Sequence, residues 1–330
     1  MTKQLHPGKH YLMKIGDFFM EYLVLVAIVV LVVVTAILQP RFWTGDNFTN
    51  LMRQFGPLSF VALGMTFIIL GGFIDLSVPG IINLVAMITL SLVDSIGEIP
   101  AMLVGLALGT LLGCLNGTIL VTSGASTQAK ALFITFGMSQ VYGAIALLYT
   151  GGSSANRTFI DDPMPITIAL GSGMVGFLSI SFIVFLFFLA ALYIFQTRTL
   201  LGRSINYTGG NLVAAELGGI PTKRIMVLIY ALCGFMAAVS AIILFSRVPV
   251  TTPTVGANFE RDAIMAVVVG GTSLLGGKGS VLRTVLGVSL VVLMTNCMDL
   301  LGVPTHLQEV LRGTILVTAI WLDHRRHARG

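Results

Sequence analysis

Apolar residues run along this chain in long stretches, separated by glycine, proline and short charged clusters. A helix needs about 20 mostly apolar residues to cross the hydrocarbon core of a membrane. With glycine, proline and charge read as punctuation, the pattern predicts helices near 22–38, 51–70, 80–94, 99–121, 130–149, 170–196, 223–245, 261–271, 281–298 and 305–322. The stretch 261–271 is too short to span and runs into the glycine-rich segment 270–279. A broken or re-entrant element is expected there, which lipid tolerates only where the backbone is buried in protein or lines a cavity.

Composition agrees with the pattern. The 330 residues are 55% hydrophobic and 10% charged, and the mean hydropathy is +0.94. That leaves too little polar material to cover a soluble domain, so a soluble enzyme is excluded. The expected fold is all-α: a single polytopic transmembrane helix bundle over 1–330, with about ten helices and broken or re-entrant segments. The first run is followed by Gln39-Pro40-Arg41-Phe42, which is not a small-residue cleavage site, so it reads as a retained helix rather than a signal peptide.

Charge supplies the orientation. An even number of spans puts both termini on one side, and Lys and Arg accumulate in cytoplasmic loops. With both termini cytoplasmic, 13 of the 19 basic residues fall inside or at the inner boundary, among them Lys3, Lys9, Lys14, Lys130, Arg198, Arg203, Lys223 and Arg224. The connection 150–165, with Asp161-Asp162, and the connection 246–260 are then external. The segment 197–222 is the longest polar interruption and lies on the cytoplasmic side, which makes it the candidate docking surface. The net charge of +5 does not imply nucleic acid, because the densest basic cluster, Arg325, Arg326 and Arg329, directly follows a span and reads as a membrane anchor.

Several motifs lead nowhere chemical. Cys114, Cys233 and Cys297 each lie within an apolar run without paired or ligand spacing. The five histidines sit at ends or span boundaries, with no pair on one helical face, so no metal site is expected. Gly276-Gly277-Lys278-Gly279 fails the phosphate-loop pattern, which excludes a nucleotide site in this chain. The triplets at Asn47, Asn156 and Asn206 are not read as glycosylation sites.

The polar residues inside apolar runs are the candidate path or gating groups. Asp75, in the sequence Gly71-Gly72-Phe73-Ile74-Asp75-Leu76-Ser77-Val78-Pro79-Gly80, is an acid between two apolar runs, placed either to cap the following helix or to contact solute. Asn83, Asn116, Thr135, Gln140 and Asn296 have side chains suited to a hydrated, uncharged solute or to bonds between helices. Gly71, Gly72, Gly270, Gly271, Gly276 and Gly277 are structural candidates, because small residues let backbones approach closely. No chain of carboxylates and histidines crosses the deep spans, which counts against an ion-coupled carrier.

In order and spacing, the motifs of this sequence resemble those of the membrane permeases of sugar-importing ATP-binding-cassette transporters, the ribose, xylose and galactose type. The resemblance rests on Gly71-Gly72 with Asp75-Leu76-Ser77-Val78, on Asn116-Gly117, on Leu148 through Gly152, on Gly210 through Ile220 with Lys223, and on Asp262-Ala263-Ile264 with Gly270 through Ser280. It covers nearly the whole chain. Two departures bear on gating or solute choice: Phe73 and Pro79 in the acidic motif, and Gln128-Ala129-Lys130 where prolines are common.

The resemblance implies an import channel in a bacterial inner membrane, made with a second permease copy or a sister chain. Two cytoplasmic ATPases using ATP and magnesium, and an external sugar-binding protein, would complete it, with no cofactor or catalysis in this chain. It also implies that Asn211, Ala214, Ala215, Glu216, Gly218, Gly219 and Ile220, with Lys223, form a short coupling helix that sits on the ATPase. A branched-chain amino-acid permease of a related importer and an ATP-independent carrier are the competing readings.

Overall fold

The computed structural model describes residues 23–124, 127–156, 164–248 and 250–327. Lys3, Lys9, Lys14, His6, His10, Asp161-Asp162 and Arg329 lie outside them, as do the side chains of Arg325 and Arg326.

The chain folds as helices α1 (Leu23–Leu38), α2 (Gly45–Leu70), α3 (Val78–Ile96), α4 (Glu98–Thr122), α5 (Gln128–Thr150), α6 (Pro165–Ser172), α7 (Ile180–Arg198), α8 (Leu200–Gly210), α9 (Leu212–Leu217), α10 (Thr222–Arg247), α11 (Phe259–Val269), α12 (Val281–Leu300) and α13 (Thr305–His327). Two small antiparallel pairs join the connections. β1 (Ala155–Asn156) pairs with β4 (Val250–Thr251), and β2 (Met174–Val175) pairs with β3 (Leu178–Ser179). Among the described residues seven helices are long and apolar enough to cross a membrane: α2, α3, α4, α5, α7, α10 and α12. The 11-residue α11 is not one of them, in line with the expected broken element.

Local chemistry sets the boundaries. Thr44, Thr127, Ser179 and Thr199 each accept a hydrogen bond from the backbone N–H three residues on, opening α2, α5, α7 and α8. One expectation fails here. The run 170–196 is not one helix: α6 ends at Ser172, the β2–β3 hairpin turns through Gly176 at φ +63°, and α7 begins at Ile180. Glu98 anchors the short α6, its carboxylate accepting from Ile166 N at 3.3 Å and Thr167 N at 2.6 Å.

The core lies where α2, α4 and α10 meet. Gly109, Gly113 and Gly117 recur every fourth residue on the face of α4 turned to α10, which can therefore approach backbone to backbone, while Gly105, on the same spacing, sits against Thr89 of α3. A Cβ on Gly113 would overlap the Tyr230 carbonyl, one on Gly117 would lie 2.7 Å from Val227 Cα, and one on Gly109 would lie 2.6 Å from Ala238 Cβ. Gly234 of α10 fits against Gly109 and Gly113 from the other side. This glycine series was legible in the sequence and is a stronger signal than the single pair Asn116-Gly117.

Candidate functional site

Between α2 and α3 the chain runs from Gly71 to Ser77 without helix, with Gly71, Phe73, Asp75 and Ser77 buried and the residues between them partly buried. Gly72, at φ +83°, ends α2 by letting Phe73 N–H reach back to Ile68 O at 3.0 Å. An extended backbone in an apolar interior must find partners for its polar groups. Tyr230 Oη donates to Ile74 O at 3.1 Å, and Leu76 N donates to Thr135 Oγ1 at 3.0 Å. The strand is thus held by α10 on one side and α5 on the other.

Asp75 is fully buried. Its Oδ1 accepts from Ser77 N at 2.8 Å and Ser77 Oγ at 2.6 Å. Its Oδ2 is buried with no partner other than the neighbouring Cys233 thiol. The Ser77 hydroxyl in turn accepts from Asn116 Nδ2 at 2.7 Å, and Asn116 Oδ1 accepts from Tyr142 Oη at 2.7 Å. Asp75, Ser77, Asn116 and Thr135, expected from the sequence as separate polar groups, form one network linking the strand to α4 and α5. Asp75 does not cap α3 at N2 or N3, as a capping residue would. It grips the residue at the N-cap, Ser77, and its side chain is buried in protein.

The remaining candidates lie elsewhere. Asn83 Oδ1 accepts from Gly256 N at 2.7 Å and ties the connection between α10 and α11 to α3. Asn296 exchanges two hydrogen bonds with Asn47, at 2.8 and 3.2 Å, bridging α12 and α2. Gln140 is exposed on α5 and joins neither group.

The glycine-rich segment after α11 lies close to the end of α2. Gly277 N–H donates to Leu70 O at 2.9 Å, an α2 carbonyl with no helical partner. Gln196 of α7 fixes the other end, donating to Gly279 O at 3.1 Å and accepting from Val281 N at 3.0 Å. A Cβ on Gly270 would lie 2.5 Å from Arg283 O, whereas one on Gly271, at φ +91°, meets nothing closer than 3.8 Å. Close packing explains Gly270 and backbone conformation explains Gly271.

The segment 197–222 folds as the α8–α9 arm. Asn211 caps α9, its Oδ1 accepting from Ala214 N at 2.9 Å, and Gly219 at φ +80° closes it with Ile220 N bonded to Ala215 O at 3.0 Å. Glu216 Oε1 accepts from Thr222 Oγ1 at 2.7 Å, pinning α9 to the start of α10. Ala215 is 5% exposed and faces inward. The outward residues are Val213 at 65% and Leu217 at 86%, with Ala214, Gly218 and Lys223 also exposed.

The sequence reading also missed an ionic cluster joining α11 and α13. Arg312 Nη1 lies 3.0 Å from Asp262 Oδ2, its Nη2 donates to Thr295 Oγ1 at 3.0 Å, and Arg261 lies 3.2 Å from Glu309. A cavity of about 170 Å³ adjoins it, lined in part by Gln54, Arg247, Phe259, Asp262 and Arg312. Among the described residues no cluster of side chains fits a metal ion.

Residues 47–320 match the family described as branched-chain amino acid transport system / permease component. Over 328 residues the chain is 34% identical to the ribose import permease protein of Escherichia coli (strain K12), covering 99% of this chain and 100% of that protein. It is 33% identical over 300 residues to the ribose import permease protein of Bacillus subtilis (strain 168), covering 91% of each. The xylose transport system permease protein of Escherichia coli (strain K12) is 30% identical, covering 85% of this chain and 87% of that protein. No solved structure matches. With a membrane-spanning bundle and similarity along nearly its whole length, the chain belongs to the family of transport-system permease components that includes the ribose and xylose permeases.

Proposed function

We propose that this chain is the permease of an ATP-driven importer that carries a monosaccharide across a bacterial inner membrane. The observation that carries the reading is the near full-length identity of 30–34% to ribose and xylose permeases. The mobile part is the α8–α9 arm, whose exposed Val213 and Leu217 supply apolar anchors for a cytoplasmic ATPase, flanked by Lys223 and Arg224. Hydrolysis of magnesium-bound ATP in that partner supplies the work. Within this chain Asn211, Glu216, Gly218 and Gly219 keep α9 a rigid one-and-a-half-turn lever. Ala215 and Ile220 seat it on the body, and Ala214 gives its outer face a close fit.

An external sugar-binding protein delivers the solute, and a second permease copy or a sister chain completes the path. The exposed α5 face that carries Gln140 supports that pairing, because a polar side chain outward on a membrane helix calls for a polar or protein neighbour. The buried Asp75–Ser77–Asn116–Tyr142 network spends its hydrogen bonds on holding helices and strand together, which supports a role in gating geometry rather than solute contact.

The test is uptake into proteoliposomes that hold the permease with its ATPase and binding protein. Labelled ribose, xylose, galactose and leucine are offered in turn, with and without internal ATP. ATP-dependent uptake of one sugar is the expected result. Leucine uptake would establish the branched-chain amino-acid reading that the family's description favours. Downhill movement through the permease alone would replace both with an ATP-independent carrier.

A further inference from the structure

Four glycines from three separate segments meet at one point: Gly72 after α2, Gly209 near the end of α8, and Gly276 and Gly277 in the loop before α12. The contacts at Gly209, Gly276 and Gly277 leave no room for a side chain, and Gly72 is required there by its φ of +83°. A Cβ on Gly209 would overlap the Leu70 carbonyl and lie 2.8 Å from Gly277 N. One on Gly276 would lie 2.6 Å from Gly209 O and 2.8 Å from Gly72 Cα. The Gly277 to Leu70 hydrogen bond at 2.9 Å crosses the same point.

The position of this crossing matters. On one side Gly209 lies three residues from Leu212, the first residue of α9. On the other, Leu70 and Gly72 open the strand that carries Asp75. We propose that the Gly72–Gly209–Gly276–Gly277 crossing is the joint through which α9 moves the buried strand Gly71–Ser77, with Gly209 the positioning residue. The inference rests on the reading of α9 as the ATPase lever.

The physical ground is contact without slack. Packed backbones in van der Waals contact transmit a displacement, whereas two flexible side chains absorb it by changing rotamer. The loop cannot yield away from the push, because Gln196 clamps it at Gly279 and Val281 and Gln128 Nε2 donates to Leu274 O at 3.0 Å. The strand's other end is held by Ser77 through Asn116, so movement at Gly72 rotates the strand about that network.

Gly209→Ala and Gly210→Ala, assembled with the ATPase and binding protein in proteoliposomes, separate this joint from general loss of fold. A Cβ on Gly210 meets nothing closer than 4.0 Å, so Gly210→Ala serves as the matched control. Gly209→Ala is expected to keep ATP hydrolysis while solute moved per ATP falls about tenfold, with Gly210→Ala near wild type. Equal transport per ATP in an assembled Gly209→Ala complex would overturn the joint.

Hydrogen exchange on the unaltered complex gives an independent readout if Gly209→Ala does not assemble. Nucleotide binding should change protection in 209–217, 70–77 and 274–280 together. A change confined to 209–217 overturns the joint and leaves the ATPase reading intact. No change even at 209–217 overturns the ATPase reading itself.

Discussion

Glycine serves opposite purposes in the α4–α10 seam and at the end of α9. In the seam, Gly109, Gly113 and Gly117 keep regular helical geometry and are there for what they lack: a side chain that would keep α10 at a distance. In the arm, Gly219 is there for its backbone, a left-handed φ of +80° that ends α9, and no neighbour comes within 4 Å of its Cβ position. The seam is buried and has no freedom to adjust. Beyond the packed α8, the outer face of α9 is exposed and the helix is stabilised by its own caps. Substitutions should therefore separate the two regions by their effect on stability.

The largest effect belongs to the seam. Gly113→Leu places a branched side chain where the Tyr230 carbonyl and Ala231 Cα already sit. Backbone lies on both sides, so the cost is at the upper end of overpacking, about 3 kcal/mol. The variant should fail to accumulate in the membrane, and what does accumulate should melt well below wild type in detergent. Wild-type yield and melting would show that the seam is not the rigid element. Gly219→Ala, by contrast, strains only a surface turn and should cost about 1 kcal/mol.

An intermediate effect is expected where the seam meets the buried strand. Asn116→Leu preserves bulk but removes the donor to Ser77 Oγ and the acceptor of Tyr142 Oη. Tyr142 keeps Leu112 O at 3.2 Å, and Ser77 keeps Asp75, so no group is fully orphaned. The loss should be about 1–2 kcal/mol, read as a lower melting temperature with the helical signal intact. Tyr142→Phe should cost less than Asn116→Leu, and the reverse order would mean that the network is anchored from α5 rather than from α4.

The two regions were unequally legible in the sequence. Long apolar runs gave most helices to within a few residues, because membrane length fixes how far apolarity must extend. The α6–hairpin–α7 interruption was missed because Met174, Val175, Phe177 and Leu178 are as apolar as a span. Only Gly171, Gly173 and Gly176 mark the turn. Treating glycine purely as punctuation also hid the four-residue repeat on α4. Asp75, Ser77, Asn116 and Thr135 were identifiable as unusual, but nothing in the sequence joins positions 39 to 60 residues apart into a network. Tyr142 and Tyr230 carried no signal in the sequence; Tyr230 Oη reaches the strand at Ile74 O, and Tyr142 Oη reaches it through Asn116. The Arg312–Asp262 pair stayed invisible because its two charges lie 50 residues apart on different helices.

The smallest effect on stability should come from the arm, together with complete loss of transport. Leu217 is 86% exposed and makes no side-chain hydrogen bond, so Leu217→Asp changes folding by no more than about 0.5 kcal/mol. In an apolar contact with an ATPase, the same change buries an unpaired carboxylate, which costs several times more than the lost methyl groups. The purified variant should melt with wild type yet neither retain the ATPase in size-exclusion chromatography nor import solute. Val213→Asp, one turn away on the same exposed face, should behave alike, whereas Ala215→Asp should lower the melting temperature, because Ala215 faces the body of the protein. If Leu217→Asp retained the ATPase while Ala215→Asp released it without lowering stability, the outward face of α9 would have been assigned the wrong way round. The lever would then have to turn over before it engages its partner.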